Sequence, residues 1–183
     1  VLGFKIKEEP LIVMSEIINR VANSPIVTLD LESYYIVGER VVFDLEPFLF
    51  QGLVVKEKEY RESFKNFDWS IYSGKLVAIT CSTDAIIPKW AYMLAIVKLQ
   101  PVAKEVIIGS IEDLELHLFN TGLNTLDLET LRDRPVVIKG CGKLSIPDYA
   151  YGEIVKKVMP IAKSVMFGEP CSTVPVYKRP KAK

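Results

Sequence analysis

The sequence predicts an α/β protein: a mostly parallel sheet covered by helices and built around a duplicated strand-helix-strand unit. The chain has 183 residues, of which 49% are hydrophobic, enough for one domain with a substantial core. Its strand-like runs are β-branched without polar alternation, which is typical of parallel strands buried on both faces. We expect residues 1–13 to be an N-terminal extension, residues 14–176 a single α/β domain and residues 177–183 a basic C-terminal tail.

The third observation is an internal repeat. Asp68–Gly109 aligns without a gap on Asp127–Gly168 at an offset of 59 residues, with 13 identities in 42 positions. Two copies are too few for a solenoid, so the repeat is a duplicated supersecondary unit within one domain. A strand-helix-strand unit of this length predicts parallel strands joined by a crossover helix.

The local sequence pattern predicts each strand and helix in turn. In each copy a buried strand, Lys75–Cys81 or Arg134–Cys141, precedes a helix that begins near Pro88 or Pro147, because proline is tolerated in the first turn. A second apolar run then ends each copy. Before and between the copies, the sequence predicts a helix over 15–24, strands over 25–31 and 39–45, a charged helix over 57–67, and one or two helices over 111–133.

Charge and composition exclude several classes of protein. The 23 basic and 23 acidic residues give a formal net charge of zero, which argues against a nucleic-acid binder. The longest apolar run, Trp90–Val97, is far shorter than the roughly 20 residues of a membrane span, so we expect no membrane partner. Three cysteines without a CxxC motif favour a reducing compartment, and we expect the protein to be cytoplasmic.

The cysteines follow strands. Cys81 and Cys141 end the first strands of the two copies, Cys171 follows the last strand, and Cys-Ser-Thr occurs at both 81–83 and 171–173. Ligands of open parallel sheets bind at the carboxyl ends of the strands, where the strand order reverses. We therefore expect the first strands of the two copies to lie side by side and the three thiols to share one rim of the sheet.

Thiolates at such a rim are candidate ligands of a soft metal or an iron-sulfur cluster, or carriers of sulfur. Asp84, Glu169 or water would fill a fourth position. The predicted ligand-binding residues around Cys81, Cys141 and Cys171 are Ser82, Thr83, Asp84, Gly140, Gly142, Glu169, Ser172 and Thr173. The alternative is that the cysteines only pack as small hydrophobic side chains.

Two other features of the sequence give weaker indications of function. The glycine-rich stretch 140–145 lies between a strand and a helix, where backbone amides can hold an anion. It lacks the P-loop spacing, so a tight turn is the default interpretation. His117 is the only histidine, which excludes a two-histidine metal site. A catalytic pair with histidine is poorly supported for the same reason.

Five stretches resemble the Bacteroidetes family catalogued as domain of unknown function 2480. They are IINRVANSPIVTLDLE, GERVVFDLEPFLFQGLVVKEKEYRE, CSTDAIIPKWAYML, VVIKGC and FGEPCSTVPVYKR, and the resemblance extends over residues 14–179. It implies no established activity. It does imply a genomic context of iron-sulfur cluster assembly, which favours thiol or cluster chemistry, and it leaves residues 1–13 outside the family pattern.

The leading hypothesis is an accessory or binding protein whose Cys81, Cys141 and Cys171 bind a metal or cluster, or carry sulfur. Iron-sulfur assembly proteins are its expected partners. The first alternative is a non-catalytic interaction module, such as a homodimer, in which the cysteines only pack. The second is a small-molecule enzyme that uses the same crevice.

Overall fold

The structure, a computed structural model, describes residues 25–140, 142–169 and 172–180. The N-terminal extension expected at 1–13 and the helix expected at 15–24 lie outside these residues. No helix in the described part of the chain combines the length and apolar character needed to cross a bilayer.

Seven strands and four α-helices make up the described fold. The strands are β1 (Val27–Asp30), β2 (Arg40–Asp44), β3 (Leu76–Thr80), β4 (Glu105–Ile108), β5 (Pro135–Lys139), β6 (Ser164–Glu169) and β7 (Ser172–Lys178). The helices are α1 (Glu57–Asn66), α2 (Lys89–Leu99), α3 (Ile111–Leu123) and α4 (Asp148–Val158). The predicted α/β class, with mostly parallel strands covered by helices, is confirmed.

The duplication is visible in the elements themselves. At the offset of 59 residues, β3 corresponds to β5 and α2 to α4 over identical spans, and β4 corresponds to the start of β6. Pro88 and Pro147 are the N-caps of α2 and α4, as expected for prolines at helix starts. The correspondence also includes α1 and α3, because the buried residues Tyr60 and Phe64 align with the buried residues Phe119 and Leu123. Each copy is therefore longer than the sequence alignment indicates.

The two copies lie in different sheets. A three-stranded parallel sheet has the order β2-β3-β4, and a four-stranded sheet has the order β1-β5-β6-β7 with only β7 antiparallel. The prediction that the first strands of the copies are neighbours in one sheet is therefore wrong. In both sheets the strand order follows the chain, so the reversal point at which we placed the ligand site does not occur among the described strands.

Each copy has its own leading strand. β1 pairs with β5 and β2 pairs with β3, both in parallel, and Val27 and Val41 occupy matching register positions opposite Val136 and Val77. Both leading strands end in Asp-Leu-Glu, at 30–32 and 44–46. We call β2, α1, β3, α2 and β4 the first copy, and β1, α3, β5, α4 and β6 the second copy. Because β1 precedes the whole first copy along the chain, the copies are interleaved.

Helix α3 lies between the two sheets. Its residues Leu114 and Leu118 pack against Leu76 and Ala78 on one face of β3. Its residues Phe119 and Leu123 belong to the core cluster of the four-stranded sheet, together with buried residues of β5 and α4. The opposite face of the three-stranded sheet is covered by α1 and α2. The layers are thus helices, sheet, helices and sheet.

The C-terminal residues differ from the expected tail. Tyr177 and Lys178 belong to β7, and the backbone amide of Arg179 donates to the carbonyl of Lys163 at 3.0 Å. The guanidinium of Arg179 also contacts Asp133. Residues 177–179 therefore form part of the sheet edge, because β7 continues the pairing with β6.

Candidate functional site

The carboxyl ends of β1, β5 and β6 enclose a small polar hollow of about 80 Å³. Its walls combine carboxylates, one ammonium group and two glycines. They are formed by Asp30, Glu32, Lys139, Gly140, Gly142 and Glu169. We refer to this feature as the polar hollow.

Lys139 is the cation of the polar hollow. Its Nζ lies 3.2 Å from Oδ2 of Asp30 and 3.9 Å from Oε1 of Glu169. The hydrogen bond and charge of Asp30 raise the pKa of Lys139, and the carboxylates of Glu169 and Glu32 add to the rise. The three neighbouring strands bring these groups together, because Asp30 pairs with Lys139 and the pairing of Ile138 with Phe167 places the end of β6 beside Lys139.

Glu32 fixes the loop that closes the polar hollow. Its Oε1 accepts a hydrogen bond from the backbone amide of Leu144 at 3.2 Å. A Cβ atom on Gly142 would lie 2.1 Å from the same oxygen, so any side chain at 142 would displace the carboxylate. Asp30 positions Glu32 in turn, since its Oδ1 accepts from the Glu32 amide at 3.1 Å.

The first copy has an equivalent edge with fewer charges. Oδ1 of Asp44 accepts from the amides of Glu46 and Ser82, both at 3.0 Å. Burial alone would raise the pKa of Asp44, but these hydrogen bonds and one from the Ser82 side chain outweigh it and lower the pKa. Thr80 stands where the second copy has Lys139, and Ser110 stands where it has Glu169.

Cys81 lies at this first edge. It is half-buried, and its Sγ is 3.5 Å from Oγ1 of Thr83, which donates to the carbonyl of Gly52 at 3.1 Å. Burial raises the pKa of Tyr92, and the neighbouring Cys81 adds to the rise. The thiol is therefore held beside a hydroxyl and a phenol at the end of β3.

The predicted site residues are divided between the two sheets. Gly140, Gly142 and Glu169 meet at the polar hollow, while Ser82 and Thr83 lie with Cys81 at the first edge and Asp84 is exposed in the same loop. Ser172 and Thr173 begin β7, where Ser172 pairs with Glu169 and the hydroxyl of Thr173 donates to Sδ of Met166.

Two of the three predicted metal ligands, Cys141 and Cys171, lie outside the described residues. Among residues 25–140, 142–169 and 172–180, no group of three or more His, Cys, Asp and Glu side chains has a geometry that could hold a metal ion. The prediction of a shared thiol site rested on one common sheet, and the strands that Cys81 and Cys141 follow in the sequence lie in different sheets. That the three thiols share a ligand stays a prediction.

Sequence reasoning missed Asp30, Glu32 and Lys139. The signal that could have found the first two is the Asp-Leu-Glu sequence that ends both leading strands, at 30–32 and 44–46. Lys139 is the last residue of a predicted buried strand, where a charged side chain indicates the strand's solvated end.

A comparison of the sequence with models of known protein families finds a match. The family model described as "Protein of unknown function (DUF2480)" matches residues 15–179. No curated protein and no solved structure matches the chain. Because the family match spans nearly the whole sequence, including both copies and both strand edges described above, the chain belongs to the DUF2480 family.

Proposed function

We propose that the protein is a binding protein and that the polar hollow takes a small organic cation. The observation that carries this proposal is the charge balance of the hollow. Three carboxylates, at Asp30, Glu32 and Glu169, face a single ammonium group at Lys139, which leaves two negative charges uncompensated by the lining residues. Such an excess favours a ligand of opposite charge.

The size of the hollow narrows the class of ligand. About 80 Å³ accommodates a charged head group rather than a large molecule. Ammonium and guanidinium groups are the natural partners, because carboxylate pairs hydrogen-bond them at short range and guanidinium binds carboxylates in a bidentate manner. The head group would lie between Asp30 and Glu169, beside the ammonium of Lys139.

The protonation state of Lys139 supports binding over lysine-based catalysis. A lysine that acts as a nucleophile requires a lowered pKa, which desolvation or a second cation supplies. The carboxylates around Lys139 raise its pKa instead, so the amine stays protonated at neutral pH. In this environment the side chain is suited to orienting charged groups.

The comparison between the copies separates the residues that form the turn from the two charged residues that only the polar hollow has. Each leading strand ends at the aspartate of an Asp-Leu-Glu sequence. In both copies this aspartate accepts a hydrogen bond from the backbone amide of the glutamate, and this contact forms the turn. Only the second copy adds Lys139 and Glu169 at the neighbouring strand ends, in place of Thr80 and Ser110. The additional charges are not needed for the turn, because the first copy forms it without them.

Titration of the full chain with methylguanidine, ethylamine and inorganic phosphate at constant ionic strength tests the proposal. We expect both cations to give saturable amide shifts in NMR spectra at Gly140 and Gly142, and phosphate to give none. The amide of Gly109, at the matching edge of the first copy, is the internal control and should not shift. Saturation by phosphate, or no response to either cation, would overturn the proposal.

The thiol function is a second candidate. One observation favours it: Cys81 is half-buried at a strand end beside Thr83, and not sealed in the core. Partnership with iron-sulfur assembly proteins belongs to this candidate, whereas a homodimer with packed cysteines is the competing one.

Metal and sulfide analysis of protein purified without oxygen tests the thiol candidate. Stoichiometric metal or sulfide that is lost in Cys81→Ser, and retained in the buried-residue control Ala95→Ser, would support it. Protein free of metal and sulfide, with Cys81 slow to alkylate in the native state, would exclude it.

A further inference from the structure

A second cavity lies on the helix-covered face of the four-stranded sheet. Its volume is about 410 Å³, within the roughly 300 to 1,000 Å³ of typical small-molecule sites. The lining is apolar except for one carboxylate and one phenol. It consists of Ile138, Asp148, Tyr151, Val155, Phe167 and Val176. None of these residues lines the polar hollow, so the two sites are separate.

Two aromatic rings form adjacent walls of this apolar cavity. The rings of Tyr151 and Phe167 are 5.8 Å apart and nearly perpendicular, at 81°. The hydroxyl of Tyr151 donates to the carbonyl of Gly140 at 3.0 Å, so its hydrogen is directed toward the backbone. The lining therefore offers ring surfaces, and an aromatic guest can make edge-to-face contacts with both.

The outer wall comes from β7, which has no counterpart in the first copy. The five cavity residues that have counterparts are Ile138, Asp148, Tyr151, Val155 and Phe167, which align with Ile79, Lys89, Tyr92, Ile96 and Ile108. Without a fourth strand beside β4, Ile108 is 52% exposed. In the second copy β7 places Val176 across the corresponding groove and converts it into a cavity, although Val176 itself remains 52% exposed at the mouth.

Asp148 supplies the only charge of the lining. It is the first residue of α4, and in the described part of the chain no basic side chain forms an ion pair with it. An apolar cavity with two aromatic walls and one carboxylate at its edge is complementary to a ring that carries a positive charge. We infer that this cavity binds a small aromatic amine, with the ring against Tyr151 and Phe167 and the ammonium group on Asp148.

Calorimetric titration of the full chain with phenethylamine, 3-phenylpropanol and 3-phenylpropanoate tests the inference. These probes share the ring and differ in the charge of the head group. We expect the amine to bind most tightly, the alcohol more weakly and the acid least. Asp148→Asn should lower the affinity for the amine severalfold, to that for the alcohol, and leave the affinity for the alcohol unchanged.

Val176→Trp should fill the mouth and reduce binding of the amine at least tenfold. Ile108→Trp is the matched control, since Ile108 has the same exposure of 52%, lies on β4 of the first copy and does not line the cavity. Thermal unfolding of both variants establishes that they fold. No saturable binding of any probe, binding unaffected by Val176→Trp, or equal affinity for amine and acid would each overturn the inference. If phenethylamine shifts only the NMR amide signal of Gly142, and Val176→Trp leaves its affinity unchanged, the amine binds in the polar hollow and the inference is overturned.

Discussion

The backbone carbonyl oxygen of Tyr34 lies 2.1 Å from the point that a Cβ atom on Gly122 would occupy. Gly122 is in α3, and Tyr34 follows β1 in the second copy. The same helix also packs against β3 through Leu114 and Leu118. Glycine at 122 thus sets how closely α3 approaches the segment that follows β1, while Leu114 and Leu118 hold the same helix against the first copy.

Gly122→Ala should destabilise the protein. The new methyl group would meet a main-chain oxygen that cannot rotate away, so α3 must shift, and overpacking of this kind costs about 1 to 3 kcal/mol. Gly152→Ala is the matched control, because a Cβ there has no heavy atom within 4 Å and alanine favours the helix by about 0.5 to 1 kcal/mol. Urea unfolding measures both. Equal stability of the two variants would contradict the close approach.

Arg40 links the first copy to α3. Its Nε donates to Oε1 of Glu115 at 2.6 Å, its Nη2 donates to Oε2 at 3.3 Å, and its guanidinium lies 4.3 Å from the centre of the Tyr35 ring. Arg40 is 13% exposed and Glu115 28%. A bidentate pair with this little solvent contact should couple more strongly than an exposed pair.

A double-mutant cycle with Arg40→Met and Glu115→Gln should give a coupling energy of about 1 to 2 kcal/mol. The pair Lys75 and Glu39, at 3.1 Å but more exposed, is the control and should give less than about 1 kcal/mol. A coupling at Arg40 and Glu115 no larger than that of the control pair would show that α3 is held by apolar packing alone.

Lys139 should make stability depend on alkaline pH. Because its pKa in the folded protein is raised above the unfolded value of roughly 10.4, its contribution is fully present below that pH and is lost as the pH rises through the folded pKa. Unfolding measured from pH 9 to pH 12 should therefore show an alkaline loss of stability that is smaller in Lys139→Met. An NMR titration that places the pKa of Lys139 below the unfolded value of roughly 10.4 would contradict the arrangement of carboxylates around it.

The sequence predicts the elements of this fold well because their signals are local. Pro88 and Pro147 mark the starts of two helices, and the apolar runs before them are the central strands. Strand neighbours are not local. Burial on both faces shows that β3 and β5 are central, but two central strands can belong to one sheet or to two, and their side-chain patterns are the same in either case.

The leading strands decide between one sheet and two. Strand β1 pairs with β5 and strand β2 pairs with β3, and each of the two ends at the aspartate of an Asp-Leu-Glu sequence. Each copy therefore forms a sheet of its own. The inference that placed Cys81 on a rim shared with the second copy assumed a single sheet, and that assumption was wrong. Gly140, Gly142 and Glu169 could be placed together because they follow paired strands, whereas Asp30 precedes the aligned repeat by almost forty residues.

The central claim is that the polar hollow binds cations because its three carboxylates outnumber its single ammonium group. The residues at the matching positions of the first copy provide two variants, Lys139→Thr and Glu169→Ser. Lys139→Thr removes a charge that repels the ligand and should tighten methylguanidine binding about fivefold. Glu169→Ser removes a charge that attracts the ligand and should weaken binding about fivefold. Each change corresponds to roughly 1 kcal/mol, the interaction expected at such distances in a solvated site. Lys143→Thr, which alters the neighbouring loop without lining the hollow, is the control.

The most direct measurement is the affinity of these three variants for methylguanidine at one ionic strength. The account predicts changes of opposite sign for Lys139→Thr and Glu169→Ser, with little change for Lys143→Thr. Changes of the same sign for the first two variants, or affinities equal to that of the unaltered protein, would contradict it.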